Sequence, residues 1–508
     1  MFRWDKTSVN QLVQENLKDR VLVVVSNREP YVHRRSNGGV VLERGEGGLT
    51  SILDAAMQAT GGIWVAWGSG DADWETADQE GKISVPPHQP AYLLKRVRLS
   101  QEQVEHYYHG FSNRFFWPFF HNMMDRVQFL EKEWQYYQGA NRRFADAILS
   151  EVEGFRSPVI WIQDYHLTCV PQMVRAQRPD ATISLFWHIP WPSYDHFRKA
   201  PCRQSFLESL LGCDLIGFQT PSDRNNFLEA AEKELDASVN YADCSVTYRG
   251  HTTYPKTFAA SIDTEKWGQL AERPGIEKEI LKLRSLHGLT PSGFLGIGVD
   301  RLEYTKALLE RFEAIDLFLK NFPQYCQKFT FVQIAPPTRV AMHEYQEYRE
   351  AVEKLIHRIN EKYRSRTWQP IVYYPKHIEM EELAVYYRAA DLAIVSSFAD
   401  GMNLVAKEYI ASQVDEKGAL LLSQFVGAAC EMKEAVLINP RDIEDFSEKI
   451  RFALEMPRSE KGLRIRGMKD YLKIHNVYKW VGEQISESCR IRSSTSSLNA
   501  NLILNNRG

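Results

Sequence analysis

The sequence lacks the features that mark several large classes of protein. Its seven cysteines are odd in number and include no CxxC pair, which predicts reduced, mostly structural thiols in the cytoplasm rather than a disulfide framework. It has no zinc-type spacing and no clustered set of histidines and carboxylates, so we expect no metal. The formal net charge of −3 gives no electrostatic reason to expect nucleic acid or an anionic membrane as partner.

Long apolar runs and one common cofactor motif are missing as well. The longest early apolar run covers residues 21–25 and is too short for a signal peptide core or a membrane span. The region after this run has no G-x-G-x-x-G spacing, so a nicotinamide cofactor is not supported. We expect no cofactor of any kind.

What the sequence does contain is an alternation of short apolar runs with longer helical patterns. This alternation is typical of α/β proteins with parallel sheets. Two series of strands are predicted, one at residues 21–26, 159–163, 182–187 and 214–219. The second series is predicted at residues 294–300, 329–334, 371–374, 392–396 and 419–423.

The two series predict two domains. A chain of 508 residues is too long for one compact core. We assign residues 1–262 to an N-terminal domain and residues 263–490 to a C-terminal domain whose last helix can pack back on the N-terminal domain. A charged helical linker region is expected at about residues 263–284. The Ser- and Asn-rich residues 491–508 are predicted to form a flexible tail. Doubly wound halves bind ligands at the carboxyl ends of their strands, here expected in a cleft between the domains.

The most informative stretch is Asp400-Gly-Met-Asn-Leu-Val-Ala-Lys-Glu408. It is typical of a strand end, a tight turn at Gly401 and the first turns of a helix. A helix N-terminus has unpaired N–H groups and a positive dipole, which suit a phosphate or an electron-rich sugar. The amides in question belong to Met402, Asn403 and Leu404. Two acids on either side of such an end point to sugar hydroxyls, and thus to a sugar nucleotide.

Further polar groups follow other predicted strands. Asp164 ends one strand and His188 another, and a lone residue of this kind is more often structural than catalytic. Arg301 and Lys306 follow the strand at residues 294–300, and Arg339 follows the strand at residues 329–334. Cations at successive strand ends suit a departing diphosphate, because guanidinium and ammonium groups bind phosphate oxygens.

A glycine-rich segment follows the first predicted strand. It contains Asn37-Gly38-Gly39 and Gly45-Glu-Gly-Gly48-Leu49. Backbone amides there can cradle a phosphate or sugar before a helix. The alternative is a hairpin turn plus a loop, since Asn-Gly marks turns very often. Taken alone, the segment favours the alternative.

These blocks together resemble the trehalose-6-phosphate synthases, which are retaining glycosyltransferases of the GT-B type. The resemblance runs from about residue 21 to about residue 481. It includes Ser26-Asn-Arg, Gly47-Gly-Leu, Tyr107-Tyr, Trp117-Pro, Asp164-Tyr-His-Leu, His188-Ile-Pro, Arg301-Leu and the Asp400–Glu408 block. It implies two Rossmann-like domains and transfer of glucose from a nucleotide sugar, expected to be UDP-glucose, to glucose 6-phosphate.

The resemblance also implies roles for individual residues. Arg301 and Lys306 would bind the donor diphosphate, and Asp400 and His188 the donor glucose. Glu408 would hold the nucleotide ribose, and the same donor site would be lined by Gly48, Met402, Asn403 and Leu404. The phosphorylated acceptor would be held by Arg28, Tyr108, Trp117 and Arg339, with Asp164 on its hydroxyls. The catalytic set is thus Asp164, His188, Arg301, Lys306 and Asp400.

The chain departs from the most familiar family members at three positions in these blocks. Gln163 stands where a histidine often precedes the Asp-Tyr-His block, Glu303 replaces an aspartate, and Ala307 replaces the usual glycine. The last change is expected to alter the turn beside the diphosphate, because glycine allows backbone conformations that alanine does not. Since the key side chains are present, we expect activity.

Three alternatives stay open at this point. The start Arg28-Glu-Pro-Tyr31 is also similar to glucosylglycerol-phosphate synthases, which use glycerol 3-phosphate. A silent, sugar-phosphate-binding regulatory relative would lack Arg301, Lys306 or Glu408, all of which are present. A nucleotide-sugar epimerase or dehydrogenase would need the missing dinucleotide fingerprint. As partners we expect the two substrates, a separate downstream phosphatase and a homo-oligomer, with neither nucleic acid nor membrane.

Overall fold

The computed structural model describes residues 4–36, 38–44 and 48–505. The chain divides into two compact units. Unit 1 comprises the residues up to Ala260 together with those from Val477 onward, and unit 2 comprises Ser261–Asn476. The two units are described separately below.

Unit 1 contains one long sheet and a separate two-stranded hairpin. Its strands are β1 (Leu22–Arg28), β2 (Tyr31–Ser36), β3 (Gly39–Arg44), β4 (Ile63–Trp67), β5 (Lys82–Val85), β6 (Tyr92–Val97), β7 (Val159–Gln163), β8 (Thr182–Phe186), β9 (Leu215–Phe218), β10 (Ser238–Asn240), β11 (Ser245–Tyr248) and β12 (His251–Thr257). The 10-stranded sheet has the order β10-β11-β12-β9-β8-β7-β1-β4-β6-β5, and β2 and β3 form a separate hairpin. All four strands predicted in this half are present, with ends shifted by one or two residues.

Most of the unit 1 sheet is parallel, and its central strands are buried. Strands β4, β1, β7, β8, β9 and β12 pair in parallel. Every residue of β7 and of β8 is buried, as expected for strands covered by helices on both faces. Strand β7 is accordingly apolar up to its last residue, Gln163, whereas β8 also carries the buried polar side chains of Thr182 and Ser184.

The helices of unit 1 cover the sheet. They are α1 (Lys6–Leu17), α2 (Gly48–Thr60), α3 (Asp73–Thr76), α4 (Gln101–Gln103), α5 (Trp117–Phe120), α6 (Glu131–Glu151), α7 (Val170–Arg175), α8 (Tyr194–Phe197), α9 (Arg203–Leu210) and α10 (Pro221–Glu234). Between α4 and α5 the chain forms a π-helix, Val104–Phe116. Such wide turns are rare and occur most often at functional sites.

Unit 2 contains a second, fully parallel sheet. Its strands are β13 (Phe294–Val299), β14 (Phe329–Ile334), β15 (Ile371–Tyr374), β16 (Leu392–Val395), β17 (Ala419–Ser423) and β18 (Val436–Ile438), in the order β15-β14-β13-β16-β17-β18. All pairs in this sheet are parallel. The five strands predicted in this half are present.

The helices of unit 2 begin in the region predicted as a helical linker. They are α11 (Thr264–Glu272), α12 (Ile276–Leu286), α13 (Leu308–Asn321), α14 (His343–Tyr363), α15 (Met380–Ala389), α16 (Leu404–Ser412), α17 (Ile443–Glu455) and α18 (Arg458–Ile474). The last helix, α19 (Val477–Asn505), belongs to unit 1, where Trp480 packs against Trp161 with ring centroids 5.5 Å apart. It continues past residue 490, where the flexible tail was predicted to begin.

Each sheet has a switch point at which the strand order changes direction. In unit 1, β1 is followed by β4 on one side and is flanked by β7 on the other. In unit 2, β13 is followed by β14 on one side and is flanked by β16 on the other. Open α/β sheets bind ligands outside the carboxyl ends of the strands at such points. Ligand-binding residues are therefore expected in the segments that follow β1, β7, β13 and β16.

The turn into α13 gives a first testable prediction. Ala307 has φ 51° and ψ 47°, the left-handed region, which costs a residue with a Cβ roughly 1–2 kcal/mol. Part of this cost is offset because glycine loses more entropy on folding. We expect Ala307→Gly to stabilise unit 2 by about 0.5–1 kcal/mol, measured as a rise in melting temperature by calorimetry.

The matched control is Ala314→Gly in the interior of α13, where the backbone is helical. That change is expected to destabilise by about 1 kcal/mol. Equal losses of melting temperature for the two variants would contradict the strain at Ala307.

Candidate active site

The first cluster lies at the end of β1 in unit 1. Arg28 is the last residue of β1, and its Nη2 donates to the hydroxyl of Tyr108 at 2.9 Å. Tyr108 comes from the π-helix and is 8% exposed, whereas Arg28 is exposed. The ring of Tyr108 stacks on His166, with centroids 5.8 Å apart. These contacts bring to one place a guanidinium and a phenol that the resemblance assigns to the acceptor.

A buried arginine holds the backbone behind Arg28. Glu29, the next residue, pairs with Arg96 of β6 at 2.8 Å, and neither side chain is exposed. The same guanidinium lies 3.0 Å from Asp73 and donates to the carbonyl of Tyr31 at 3.0 Å. Burial, together with the nearby Asp73 carboxyl, raises the pKa of Glu29 to about 8. This network fixes the chain at the end of β1.

The second part of the unit 1 cluster follows β7 and β8. Asp164 comes directly after β7 with φ 70°, and its Oδ1 accepts from the main-chain N–H of His188 at 3.3 Å. Its Oδ2 lies 3.8 Å from Nδ1 of His166. Nε2 of His188 lies 2.9 Å from Oε1 of Gln163. Two strand ends therefore meet, as predicted, in one set of polar contacts.

The pKa of His188 is lowered to about 3 because burial penalises the charged imidazolium. The ring packs edge-on against Phe186 at 4.5 Å and lies 6.1 Å from the indole of Trp480. Such an imidazole is neutral at physiological pH. It can donate from one ring nitrogen and accept at the other.

Trp117 forms an aromatic wall beside this cluster. It begins α5, is 6% exposed, and its ring lies 4.1 Å from that of His121. It also lies 5.9 Å from Tyr165, the residue after Asp164. Contacts thus connect Arg28, Tyr108, Asp164 and Trp117 within unit 1.

In unit 2 one buried carboxylate joins two predicted phosphate ligands. Oε1 of Glu303 accepts from Arg339 at 2.9 Å, and its Oε2 lies 3.3 Å from Nη2 of Arg301. The side chains of Glu303 and Arg339 are 0% and 4% exposed, whereas that of Arg301 is 48% exposed. Arg339 also donates to the hydroxyl of Tyr345. Arg301 therefore presents more of its guanidinium to solvent than Arg339 does.

Lys306 and Asp400 meet across the switch point of unit 2. The Lys306 ammonium lies 2.6 Å from Oδ2 of Asp400, with side chains 9% and 19% exposed. The side-chain amide (Nδ2) of Asn403 donates to the same carboxylate oxygen at 3.2 Å. A residue from the segment after β13 and one from the segment after β16 are thus joined, which the sequence could only suggest.

The predicted helix N-terminus is present. Helix α16 starts at Leu404, and Oδ1 of its N-cap Asn403 accepts from the N–H of Ala406 at 3.0 Å. Asn403 has φ 87°, so the left-handed turn occurs at an asparagine, a residue that tolerates it well. Met402, just before it, is 4% exposed. The cap leaves an oriented helix dipole next to the Lys306–Asp400 pair.

Glu408 lies on the first turns of α16 and is partly buried. The hydroxyl of Tyr387 donates to its Oε2 at 3.1 Å. Burial raises the pKa of Glu408 to about 7, even though the Tyr387 bond favours the charged form. The carboxyl can therefore either donate or accept a hydrogen bond near neutral pH.

The glycine-rich segment is only partly described. Gly48 is the first residue of α2, as the predicted helix requires, whereas Asn37 and residues 45–47 lie outside the described residues. Gly38 has φ 83° beside the closing pair Ser36–Gly39 of the β2–β3 hairpin. For this part of the segment the hairpin alternative is correct.

Sequence reasoning missed three residues of these clusters. His166 was part of a recognised block but received no role, and Gln163 and Glu303 were noted only as departures. The signal that singles out Gln163 is a polar side chain at the end of a buried strand, and Glu303 follows the end of β13 by a few residues. Such a group needs a partner, because an unpaired one costs free energy.

The described residues contain neither a metal-type cluster nor a membrane-spanning helix. Across residues 4–36, 38–44 and 48–505, no group of three or more His, Cys, Asp or Glu side chains is placed to hold a metal ion. In the same part of the chain no helix is long and apolar enough to cross a membrane.

Comparison with known proteins gives the family. The model of Glycosyltransferase family 20 matches residues 20–489. The chain belongs to this family. The expected fold class, an α/β glycosyltransferase of the GT-B type, is thereby confirmed.

Individual relatives are similar over nearly their whole length. The alpha,alpha-trehalose-phosphate synthase (UDP-forming) of Schizosaccharomyces pombe is 33% identical over 491 residues, which cover 96% of this chain and 93% of the relative. A Burkholderia xenovorans synthase of the same name, solved with glucose-6-phosphate, has a TM-score of 0.82 at 31% identity and covers 92% and 99% of the two chains. An E. coli structure described as trehalose-6-phosphate bound with UDP-2-fluoro glucose has a TM-score of 0.82 at 32% identity, covering 92% and 98%.

The raised pKa of Glu408 gives a second prediction. Because the folded pKa of Glu408, about 7, is above its ordinary value of 4.5, stability falls as pH rises through this range. Glu408→Gln cannot ionise and keeps an oxygen for Tyr387. We expect it to be more stable than the wild type by roughly 1–3 kcal/mol at pH 8 and about equal at pH 5.

Calorimetry of both proteins at the two pH values measures this difference. Glu381→Gln, on the exposed side of α15, is the matched control and is expected to show little change with pH. A Glu408→Gln advantage that is the same at pH 5 and pH 8 would show that Glu408 ionises normally.

Proposed function

We propose that this protein is a retaining glycosyltransferase that moves glucose from UDP-glucose to glucose 6-phosphate, giving α,α-trehalose 6-phosphate. The observation that carries the proposal is the pairing of Lys306 with Asp400 beside a capped helix N-terminus at the switch point of unit 2, with Arg301 on the same segment after β13. Membership of Glycosyltransferase family 20 and the names of the relatives support it.

The donor is assigned to the residues of unit 2 that follow β13 and β16, together with His188 and Gly48. Arg301 and Lys306 bind the diphosphate and stabilise the negative charge that grows on it as the glycosidic bond breaks. The amides of Met402, Asn403 and Leu404 add the positive end of α16. Asp400 accepts from glucose hydroxyls, and Glu408 holds the ribose.

The acceptor is assigned to Arg28, Tyr108, Trp117, Asp164 and Arg339. Guanidinium and phenol groups bind the phosphate, the indole offers a flat wall to a pyranose ring, and the carboxylate of Asp164 accepts from sugar hydroxyls. These assignments follow from the resemblance. The contacts among Arg28, Tyr108 and Asp164 in unit 1 support them.

The reaction we propose retains the anomeric configuration without an enzymic nucleophile. The acceptor hydroxyl attacks on the face from which the diphosphate leaves, and the leaving phosphate oxygen takes the proton. A glycosidase would instead use two carboxyl groups, one of them protonated to assist the leaving group. Asp400 is placed for holding a ligand instead, because it pairs with Lys306 beside the N-terminus of α16.

The central test is a comparison of acceptors. With UDP-glucose as donor, we expect kcat/KM for glucose 6-phosphate to exceed that for glycerol 3-phosphate by roughly a hundredfold, since glycerol 3-phosphate loses several hydrogen bonds and the ring contact with Trp117. The products are identified by NMR, which also reports the configuration at the transferred carbon.

A higher kcat/KM for glycerol 3-phosphate would overturn the trehalose assignment and favour a glucosylglycerol-phosphate synthase. Binding of glucose 6-phosphate without any transfer would favour a regulatory protein. Inversion at the transferred carbon would contradict the retaining mechanism with either acceptor.

A second test concerns the leaving group. Lys306→Ala is expected to lower kcat by roughly a hundredfold, because its contact with the diphosphate strengthens as charge develops. UDP binding, measured by calorimetric titration, is expected to weaken much less. Lys320→Ala, an exposed lysine at the end of α13, serves as control and should behave as wild type.

An unchanged kcat with only a raised donor KM would mean that Lys306 contributes uniform binding and no leaving-group stabilisation. The cytoplasmic location, the homo-oligomer and a separate phosphatase acting on the product stay predictions.

A further inference from the structure

Gln163 is a buried amide in a strand that is otherwise apolar. It is the last residue of β7, whose sequence is VIWIQ, and it is 1% exposed. Among the described residues, the Nε2 atom of Gln163 has no hydrogen-bond partner. Its Oε1 atom contacts the ring of His188. An apolar side chain of similar size would avoid the cost of burying a half-paired amide. The hydrogen bond to His188 offsets part of this cost.

His188 makes three polar contacts, and only one of them involves its ring. Its main-chain N–H donates to Asp164, and its carbonyl accepts from Nε2 of Gln219 at 3.4 Å. Those two bonds place the backbone and are indifferent to the ring's protonation. The Gln163 oxygen, 2.9 Å from Nε2, is an acceptor and therefore requires a hydrogen on that nitrogen.

We propose that Gln163 is a positioning residue that holds His188 as the neutral Nε2–H tautomer, so that Nδ1 offers a lone pair to a hydroxyl of the donor sugar. This inference rests on the proposed role of His188 at the donor glucose. The low pKa that burial gives His188 agrees with a neutral ring. The residue acts through His188 and touches no substrate itself.

Few titratable groups among the described residues contact His188, so the effect of a carboxylate placed at position 163 can be tested. The titratable neighbours are Asp164, at the main-chain N–H of His188, and His166 beyond it, 3.8 Å from Asp164. Helix α19 presents the uncharged Trp480, and β8 presents Phe186. A carboxylate at position 163 would therefore be the new charge nearest to Nε2.

The first arm of the test does not use activity. The full chain is labelled with ¹⁵N-histidine, and the His188 signals are assigned by their loss in His188→Asn. Between pH 6 and pH 8 we expect a protonated Nε2 and an unprotonated Nδ1. In Gln163→Leu the population of the Nε2–H tautomer is expected to fall. A wild-type spectrum with hydrogen on Nδ1, or a charged ring at pH 7, overturns the proposal.

The second arm measures kcat/KM for UDP-glucose against pH. Gln163→Leu is expected to lower it roughly tenfold, the worth of about one hydrogen bond. Gln163→Glu is expected to raise the pKa of His188 and so add a loss of activity on the acidic side that the wild type lacks. Gln163→His, whose ring nitrogen can accept from Nε2 of His188 in place of the amide oxygen, is expected to recover most of the loss.

Gln219→Leu is the matched control, because it removes a bond to the backbone of His188 and leaves the ring bond in place. We expect it to lower melting temperature without adding an acidic loss. If Gln163→Leu folds and keeps wild-type kcat/KM, or if Gln163→Glu has the wild-type pH profile, Gln163 has no positioning role. Absence of any glucosyl transfer would count against the proposed function, and the NMR result would still decide the tautomer.

Discussion

A fully buried arginine holds the carboxyl edge of the unit 2 sheet together. Arg311 of α13 has no exposed side chain and bonds to Asp300 at 2.5 Å, to Gln333 at 2.7 Å and to Ser396 at 2.9 Å. These partners stand at the ends of β13, β14 and β16. A guanidinium with five donors is the side chain best able to join three strands at once. Unit 1 uses Arg96 in the same way behind Arg28.

The site residues depend on these anchors. Burying a charge is costly unless it is paired, so each buried arginine requires partners at defined positions and thereby fixes the strand ends that supply them. Arg301, Glu303 and Lys306 leave the end of β13 within a few residues of Asp300. Ser396, bonded to Arg311, also donates to the carbonyl of Lys306 at 3.0 Å. The Lys306–Asp400 pair is thus built on a rigid base.

Much of this arrangement could be predicted from the sequence. The continuous apolar runs identified the buried parallel strands, and Asp400–Glu408 identified a turn and a helix N-terminus, because backbone geometry limits what such residues can do. The strands β10–β12 were not predicted, since they are interrupted by polar residues and carry no continuous apolar run. The β2–β3 hairpin was anticipated only as the alternative for the glycine-rich segment. Of that segment, Gly38 and Gly39 lie at the hairpin and Gly48 begins α2.

Pairings between distant residues could not be predicted in the same way. Nothing in a single sequence indicates that Glu303 lies between Arg301 and Arg339, or that Gln163 faces His188, because these contacts depend on which strands are neighbours and on side-chain rotamers. The same holds for the pKa of Glu408, which burial raises to about 7. Residue types indicated the chemistry of the strand ends, and packing determined which groups meet.

The central claim is that the residues after β13 and β16 form the binding site for the diphosphate of a nucleotide sugar. A crystal structure of the full chain with UDP tests this most directly. The account predicts the diphosphate against Arg301, Lys306 and the N-terminus of α16, with the ribose hydroxyls at Glu408. A UDP molecule bound elsewhere, with these side chains unchanged and without contact to it, would contradict the account.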